Sequence, residues 1–223
     1  MMKIASFLLG LMLISPPAGA VSDVGDLYGD QIAFDVLRKG DVVGEHVTTF
    51  QKKGEEVIVN SRMNIDIMAL FFPLYAFEYR SKEIWKDDQL TALDVRVLDG
   101  SDKTAFTAKR ENELLDVTAP DKPYQVAGQV FTTNHWNSAV VNDRRVLNTL
   151  TGNINIVTVE KKGRESVDVV GGVVEATRYD YTGDLKDTSV WYDDQGRWVK
   201  LRFKARDGSM IDYRCRTCLE KVN

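Results

Sequence analysis

From Gln31 to Cys215 the chain alternates apolar and polar residues in runs punctuated by glycine turns, and this period of two constrains its fold more than any motif does. Val57, Val59, Met63, Ile65 and Ile67 share one parity, while Asn60, Arg62, Asn64 and Asp66 share the other. Tyr75, Phe77, Tyr79 and Trp85 oppose Glu78, Arg80, Lys82 and Lys86, and Val199, Leu201, Phe203 and Ala205 oppose Trp198, Lys200, Arg202 and Lys204. Successive strand residues face opposite sides, so each run reads as a strand packed on one face.

Hairpin turns are expected at Lys39-Gly40-Asp41, Lys53-Gly54, Asp99-Gly100, Lys162-Gly163, Asp194-Gln195-Gly196 and Asp207-Gly208. Glycine enters the positive-φ region at little steric cost, which favours antiparallel neighbours over parallel crossovers. This spacing predicts about a dozen strands. A flat sheet that wide would leave one face and both edges to water. The expectation is therefore a mainly β protein: one curved antiparallel sheet forming a barrel or half-barrel, with a short helix or flap over its open face. Two segments depart from the rhythm. ALFFPLYAF, Ala69 to Phe77, is broken by Pro73 and supplies the flap; Asn137 to Leu150, with Val140, Val141, Leu147 and Leu150 at helical spacing and Gly152 as a stop, predicts a short helix or helical turn.

Lys3, an apolar run from Ile4 to Ile14, the breakers Pro16 and Pro17, and Ala18-Gly19-Ala20 together read as a secretory signal peptide over residues 1–20, an uncleaved anchor being the alternative. Residues 21–223 are expected to form a single domain, periplasmic after export and not membrane-spanning. They carry 28 basic against 33 acidic side chains, net −5, because Lys3 is the only charge in the first twenty. That balance argues against nucleic acid and anionic membrane surfaces as partners.

EIWKDDQLTALDVRVLDG (Glu83 to Gly100), TTNHWN (Thr132 to Asn137) and VWYDDQGRWVKLRFKARDGSMIDYR (Val190 to Arg214) resemble a family of secreted bacterial proteins of unknown function. That family is similar in layout to the lipoprotein-localisation factors of the LolA and LolB type. The resemblance implies an incomplete antiparallel barrel wrapped over short helices around a hydrophobic cavity.

Candidate ligand contacts follow from where large apolar groups cluster. Leu70, Phe71, Phe72, Leu74 and Tyr75 surround Pro73 and would line the mouth of a half-barrel as a lid, or else plug it as core. Trp85, Trp136 and Trp191 are further candidate contacts; the WYD segment puts Trp191 and Tyr192 on opposite faces, so one ring is expected at a rim. Cys215 and Cys218, the only cysteines, read as a local disulfide in an exported protein, with free or intermolecular thiols and redox or metal use as alternatives. Three extended residues span ~10 Å, so the bond requires a turn at Arg216-Thr217. No histidine follows the second cysteine, and His46 and His135 lack knuckle spacing, so neither haem nor zinc is indicated and no cofactor is expected. His135 has no accompanying nucleophile motif, and Asp193 and Asp194 read as turn residues.

These features predict a non-enzymatic periplasmic protein that binds a lipid, acyl chain or other apolar ligand in a curved β-sheet cavity. The alternatives are an assembly accessory whose filled barrel docks an envelope protein and a small enzyme using the half-barrel pocket.

Overall fold

A computed structural model of the chain describes residues 24–69 and 72–219; the expected signal peptide and the side chains of Leu70 and Phe71 lie outside these. A five-residue helix, α1 (Val24–Tyr28), precedes fifteen strands. These are β1 (Gln31–Arg38), β2 (Asp41–Lys53), β3 (Glu56–Ala69), β4 (Phe72–Lys86), β5 (Gln89–Asp99), β6 (Asp102–Glu111), β7 (Leu114–Val117) and β8 (Tyr124–Ala127). There follow β9 (Phe131–Thr132), β10 (Arg145–Leu147), β11 (Ile154–Val169), β12 (Gly172–Gly183), β13 (Thr188–Asp193), β14 (Trp198–Lys204) and β15 (Met210–Thr217).

All fifteen belong to one curved, unclosed sheet of order β8-β7-β6-β5-β4-β3-β2-β1-β15-β14-β13-β12-β11-β10-β9. Every neighbouring pair is antiparallel except β9 with β10. The two edge strands, β8 and β9, are consecutive in sequence, so residues 128–130 bridge the seam where a full barrel would close. Long side chains tie that region: Arg145 donates to the Ala127 carbonyl, Arg110 to Gly128, and Tyr124 to Gly152.

The expected alternation holds along β3, where Val57, Val59, Met63 and Ile65 are buried between exposed or half-buried neighbours. Backbone irregularities account for three departures. Lys162-Gly163 does not end a strand; it lies inside β11, where the register against β12 skips a residue and Gly163 takes φ +134°, so the expected turn is a β-bulge. A second bulge separates Trp191↔Lys200 from Tyr192↔Trp198, and Trp198 is buried in the core instead of lying out with Lys200. The segment from Asn137 to Leu150 is not one helix: it holds a 3-10 helix, Ser138–Asn142, capped by the Asn137 side chain, and then β10.

The register sorts the turns onto two ends. The β1–β2, β3–β4, β5–β6, β12–β13 and β14–β15 turns share one end, because Gly44 pairs with Ile65, Phe77 with Asp99, Arg38 with Ile211 and Thr188 with Phe203. At the opposite end sit α1, the β4–β5 and β13–β14 turns, and the chain's last described residues.

Candidate functional site

The end carrying α1 is closed. Tyr28 stacks on Phe50 at 5.4 Å, donates to the Trp136 carbonyl at 2.9 Å and accepts from the Trp198 backbone N–H at 2.8 Å. Cys215 and Cys218 are joined there with Cα atoms 5.8 Å apart. The compression comes from a bulge: Phe34 pairs with Cys215 and Ala33 with Thr217, leaving Arg216 as the extra residue. Arg197, paired with Asp193 at 2.7 Å, donates to the Leu219 carbonyl and pins the chain beyond the disulfide.

Inside, the Thr132–Trp136 segment lies against β4, whose Tyr79, Ser81, Glu83 and Trp85 all point inward. Glu83 is 0% exposed. Its carboxyl accepts from Trp85 Nε1 (2.7 Å), Thr132 Oγ1 (2.8 Å), Trp136 Nε1 (3.0 Å) and Asn134 Nδ2, while Asn134 Oδ1 accepts from Tyr79. A carboxyl buried without a cation stays only where every acceptor site is used. Four donors from two chain segments do that here, and they fix the TTNHW segment as the filling of the barrel.

A cavity of about 250 Å³ remains at the other end, lined by His46, Tyr79, His135, Thr149, Leu201 and Tyr213, with Asp184, Lys186 and Lys204 at its rim. His46 reaches it from β2, wedged against Tyr213 at 5.3 Å and Trp198 at 5.6 Å. Its Nε2 meets Thr48 Oγ1 at 3.2 Å, and that hydroxyl meets Ser61 Oγ at 2.8 Å. His135 is held at φ +54° by the packed filling segment, its carbonyl accepting from Tyr192 and its ring meeting Tyr181 edge-on at 5.6 Å. Burial brings the His46 pKa down to about 3, helped by the neighbouring His135, and burial brings His135 down to about 4. Both rings are therefore neutral at pH 7. His46 Nδ1, His135 Nδ1 and the Tyr181 hydroxyl are buried without a hydrogen-bond partner. The cavity is thus bordered by two neutral imidazole rings beside apolar Met63, Leu201 and Phe203. Among the described residues no three His, Cys, Asp or Glu converge as metal ligands.

Over the same end projects an arm. Pairing of β3 with β2 stops at Ile65↔Gly44 and pairing of β4 with β5 stops at Phe77↔Asp99, yet β3 and β4 continue together through Asp66↔Ala76, Ile67↔Tyr75, Met68↔Pro73 and Ala69↔Phe72. Four residues of strand carry the arm about 13 Å beyond the last rungs it shares with β2 and β5. Met68, Phe72 and Leu74 are 56%, 73% and 70% exposed. The base is anchored by Tyr75, which donates to Asp99 at 2.7 Å, and by Arg206 on the same carboxylate. Gly44 is required where the arm leaves the sheet: a Cβ there would stand 2.0 Å from the Asn64 carbonyl oxygen.

Of the residues singled out from sequence, Phe72 and Leu74 lie on this arm. Trp85, Trp136 and Trp191 are 1%, 3% and 2% exposed and none lines the cavity. The rim ring expected of the WYD segment is absent, since Trp191 and Tyr192 are both buried. Trp191 faces outward but is roofed by Lys200 at 4.8 Å and Arg178 at 5.4 Å, and its Nε1 donates to Glu165. Sequence reasoning passed over Glu83 and weighed His46 only as a metal ligand. Glu83 left a signal, an acid on the parity of Tyr79 and Trp85.

A family model described as domain of unknown function DUF6134 matches residues 34–216. No curated protein matches the chain. Among solved structures it is similar to a beta-barrel-like protein of domain of unknown function DUF1849 from Brucella abortus, at 12% identity and TM-score 0.56, over 83% of this chain and 94% of that one. At that identity the likeness is one of fold.

Proposed function

The chain belongs to the DUF6134 family, and we propose that it is an exported, non-enzymatic protein that takes an apolar or amphipathic ligand, such as a lipid or acyl chain, at the open end of its barrel. The observation that carries this reading is the arm: three large apolar side chains stand in solvent beside a cavity lined by two neutral histidines. Soluble proteins rarely leave such side chains together without use. The arm would hold the apolar body of the ligand while the cavity receives its polar end. Histidines brought down to about 3 and 4 are weak bases at pH 7, which favours binding over proton transfer. Export rests on the segment from Lys3 to Ala20.

One observation favours a second reading, docking of an envelope protein on the arm. The core is filled, and a 250 Å³ cavity is smaller than the roughly 300–1,000 Å³ usual for ligand pockets. Native mass spectrometry of protein taken from its own envelope separates the two: a co-purifying lipid supports carriage, whereas a bare mass with a co-purifying protein supports docking. Phe72→Asp with Leu74→Asp should abolish whichever is found while leaving the fold intact; unaltered binding would remove the arm from the site.

A further inference from the structure

Across the outer face of the same hairpin, Arg62 on β3 pairs directly with Arg80 on β4, and Arg80 directly with Arg96 on β5. We propose that this row binds a soluble ligand carrying several phosphate groups. Like charges directly opposite one another on neighbouring strands destabilise a sheet, and the usual structural reason for cations, guarding an exposed edge, does not apply to strands in the interior of a fifteen-stranded order. The row is also only partly compensated. The side chains of Arg80 and of Lys82, two positions on, make no ion pair or hydrogen bond among the described residues. Arg96 reaches only Asp94, at 3.6 Å, and Arg62 only Glu45, at 3.5 Å, whose other oxygen is held by Arg216 at 2.7 Å.

Shape narrows the occupant. These four cations line a groove of about 550 Å³ shared with Thr49, Asn60 and one carboxylate, Asp94, which lies opposite Lys82 in the register. A flat bilayer would rest on the groove's walls, whereas a discrete molecule fills it. Neighbouring strands lie about 4.8 Å apart, so three guanidinium stems start within about 10 Å. Their planar forks match phosphate oxygens two at a time, and a single carboxylate would leave most of the charge unmatched. The cluster is local, since the chain as a whole is net negative at −4. It lies on the opposite face of the sheet from the histidine cavity and does not depend on the ligand proposed there.

The test is calorimetric titration of the purified full-length protein with inorganic tripolyphosphate at low salt. We expect saturable binding that weakens with added salt, at least about tenfold weaker affinity in Arg80→Gln, and little change in Lys122→Gln, an exposed cation on the far side of β7. Without ligand, Arg80→Gln should melt no lower than the parent, because it relieves repulsion. Absence of saturable binding, an equal loss in Lys122→Gln, or binding to phosphatidylglycerol vesicles but not to tripolyphosphate would overturn the proposal.

Discussion

The two ends of the barrel are built on opposite rules. At the closed end and through the interior, the main buried polar groups are answered: Glu83 by four donors, the Tyr28 hydroxyl as donor and acceptor, Asp193 by Arg197. At the open end apolar side chains are left in water and buried polar atoms are left unanswered, Met68, Phe72 and Leu74 on the arm and both histidine Nδ1 atoms in the cavity. The contrast teaches where stability is invested and where it is withheld. A protein selected only to fold would have no use for the second arrangement, and elements that meet ligands are drawn from regions where folding demands least.

The sharpest way to break this contrast is to remove Glu83. Glu83→Leu would strand two indole N–H groups, a hydroxyl and an amide inside the core. At about 1–3 kcal/mol for each of the four unsatisfied groups, the cost should reach about 4–12 kcal/mol and for many domains prevent folding. Urea denaturation reads it directly; a midpoint equivalent to less than about 1 kcal/mol of loss would mean that the network is not what holds the filling segment.

Acid should attack the open end. His46 and His135 bind protons in the unfolded chain from about pH 6.5 downward but resist them in the folded protein until about 3 and 4. Their depressed values therefore cost nothing above pH 6.5, and stability is lost as pH falls below it. At about 1.4 kcal/mol per pKa unit, the two together should remove roughly 4 kcal/mol by pH 5. Tyr79, Tyr181 and Tyr213, which surround them, have pKa values raised by burial and stay neutral throughout. In His46→Asn with His135→Asn, asparagine at 135 tolerating the left-handed backbone, the decline between pH 7 and 5 should flatten. A profile parallel to the parent's would show that carboxylates elsewhere govern acid unfolding.

Smaller still is the disulfide at the closed end. It closes a loop of only four residues, for which chain entropy gives about 2 kcal/mol. Cys215→Ser with Cys218→Ser should fold and melt modestly lower; failure to fold would make the bond, and not the packing around Tyr28, the fastening of that end.

Least of all should the arm matter to folding. Phe72→Asp with Leu74→Asp touches side chains already in solvent, so stability should shift by less than about 0.5 kcal/mol even as binding is lost. A drop of several kcal/mol would place the arm in the core and erase the difference between the two ends.

Strand content, antiparallel order and curvature were legible because they follow from local chemistry. Alternation in Val57–Ile65 is a property of neighbours in sequence, and a glycine turn such as Asp207-Gly208 needs nothing beyond its own φ of +81° at Gly208. Bulges were not legible. Lys162-Gly163 looks like a turn, and whether a glycine ends a strand or bends it depends on the partner strand continuing, as β12 does. The same reason sends Trp198 inward against its parity.

The amino-acid sequence by itself determined the fold class, because a period of two and positive-φ glycines dictate hairpins whatever surrounds them. It determined the row of arginines as three residues, yet only strand register sets Arg62, Arg80 and Arg96 side by side. Tertiary structure alone decided that Glu83 is answered from Thr132, Asn134 and Trp136, that His46 and His135 share one cavity, and that the apolar flap stands free as an arm. Each of these is a contact between segments far apart in the chain, and what brings them together is the way the sheet curls around the Thr132–Trp136 segment, which no local pattern encodes.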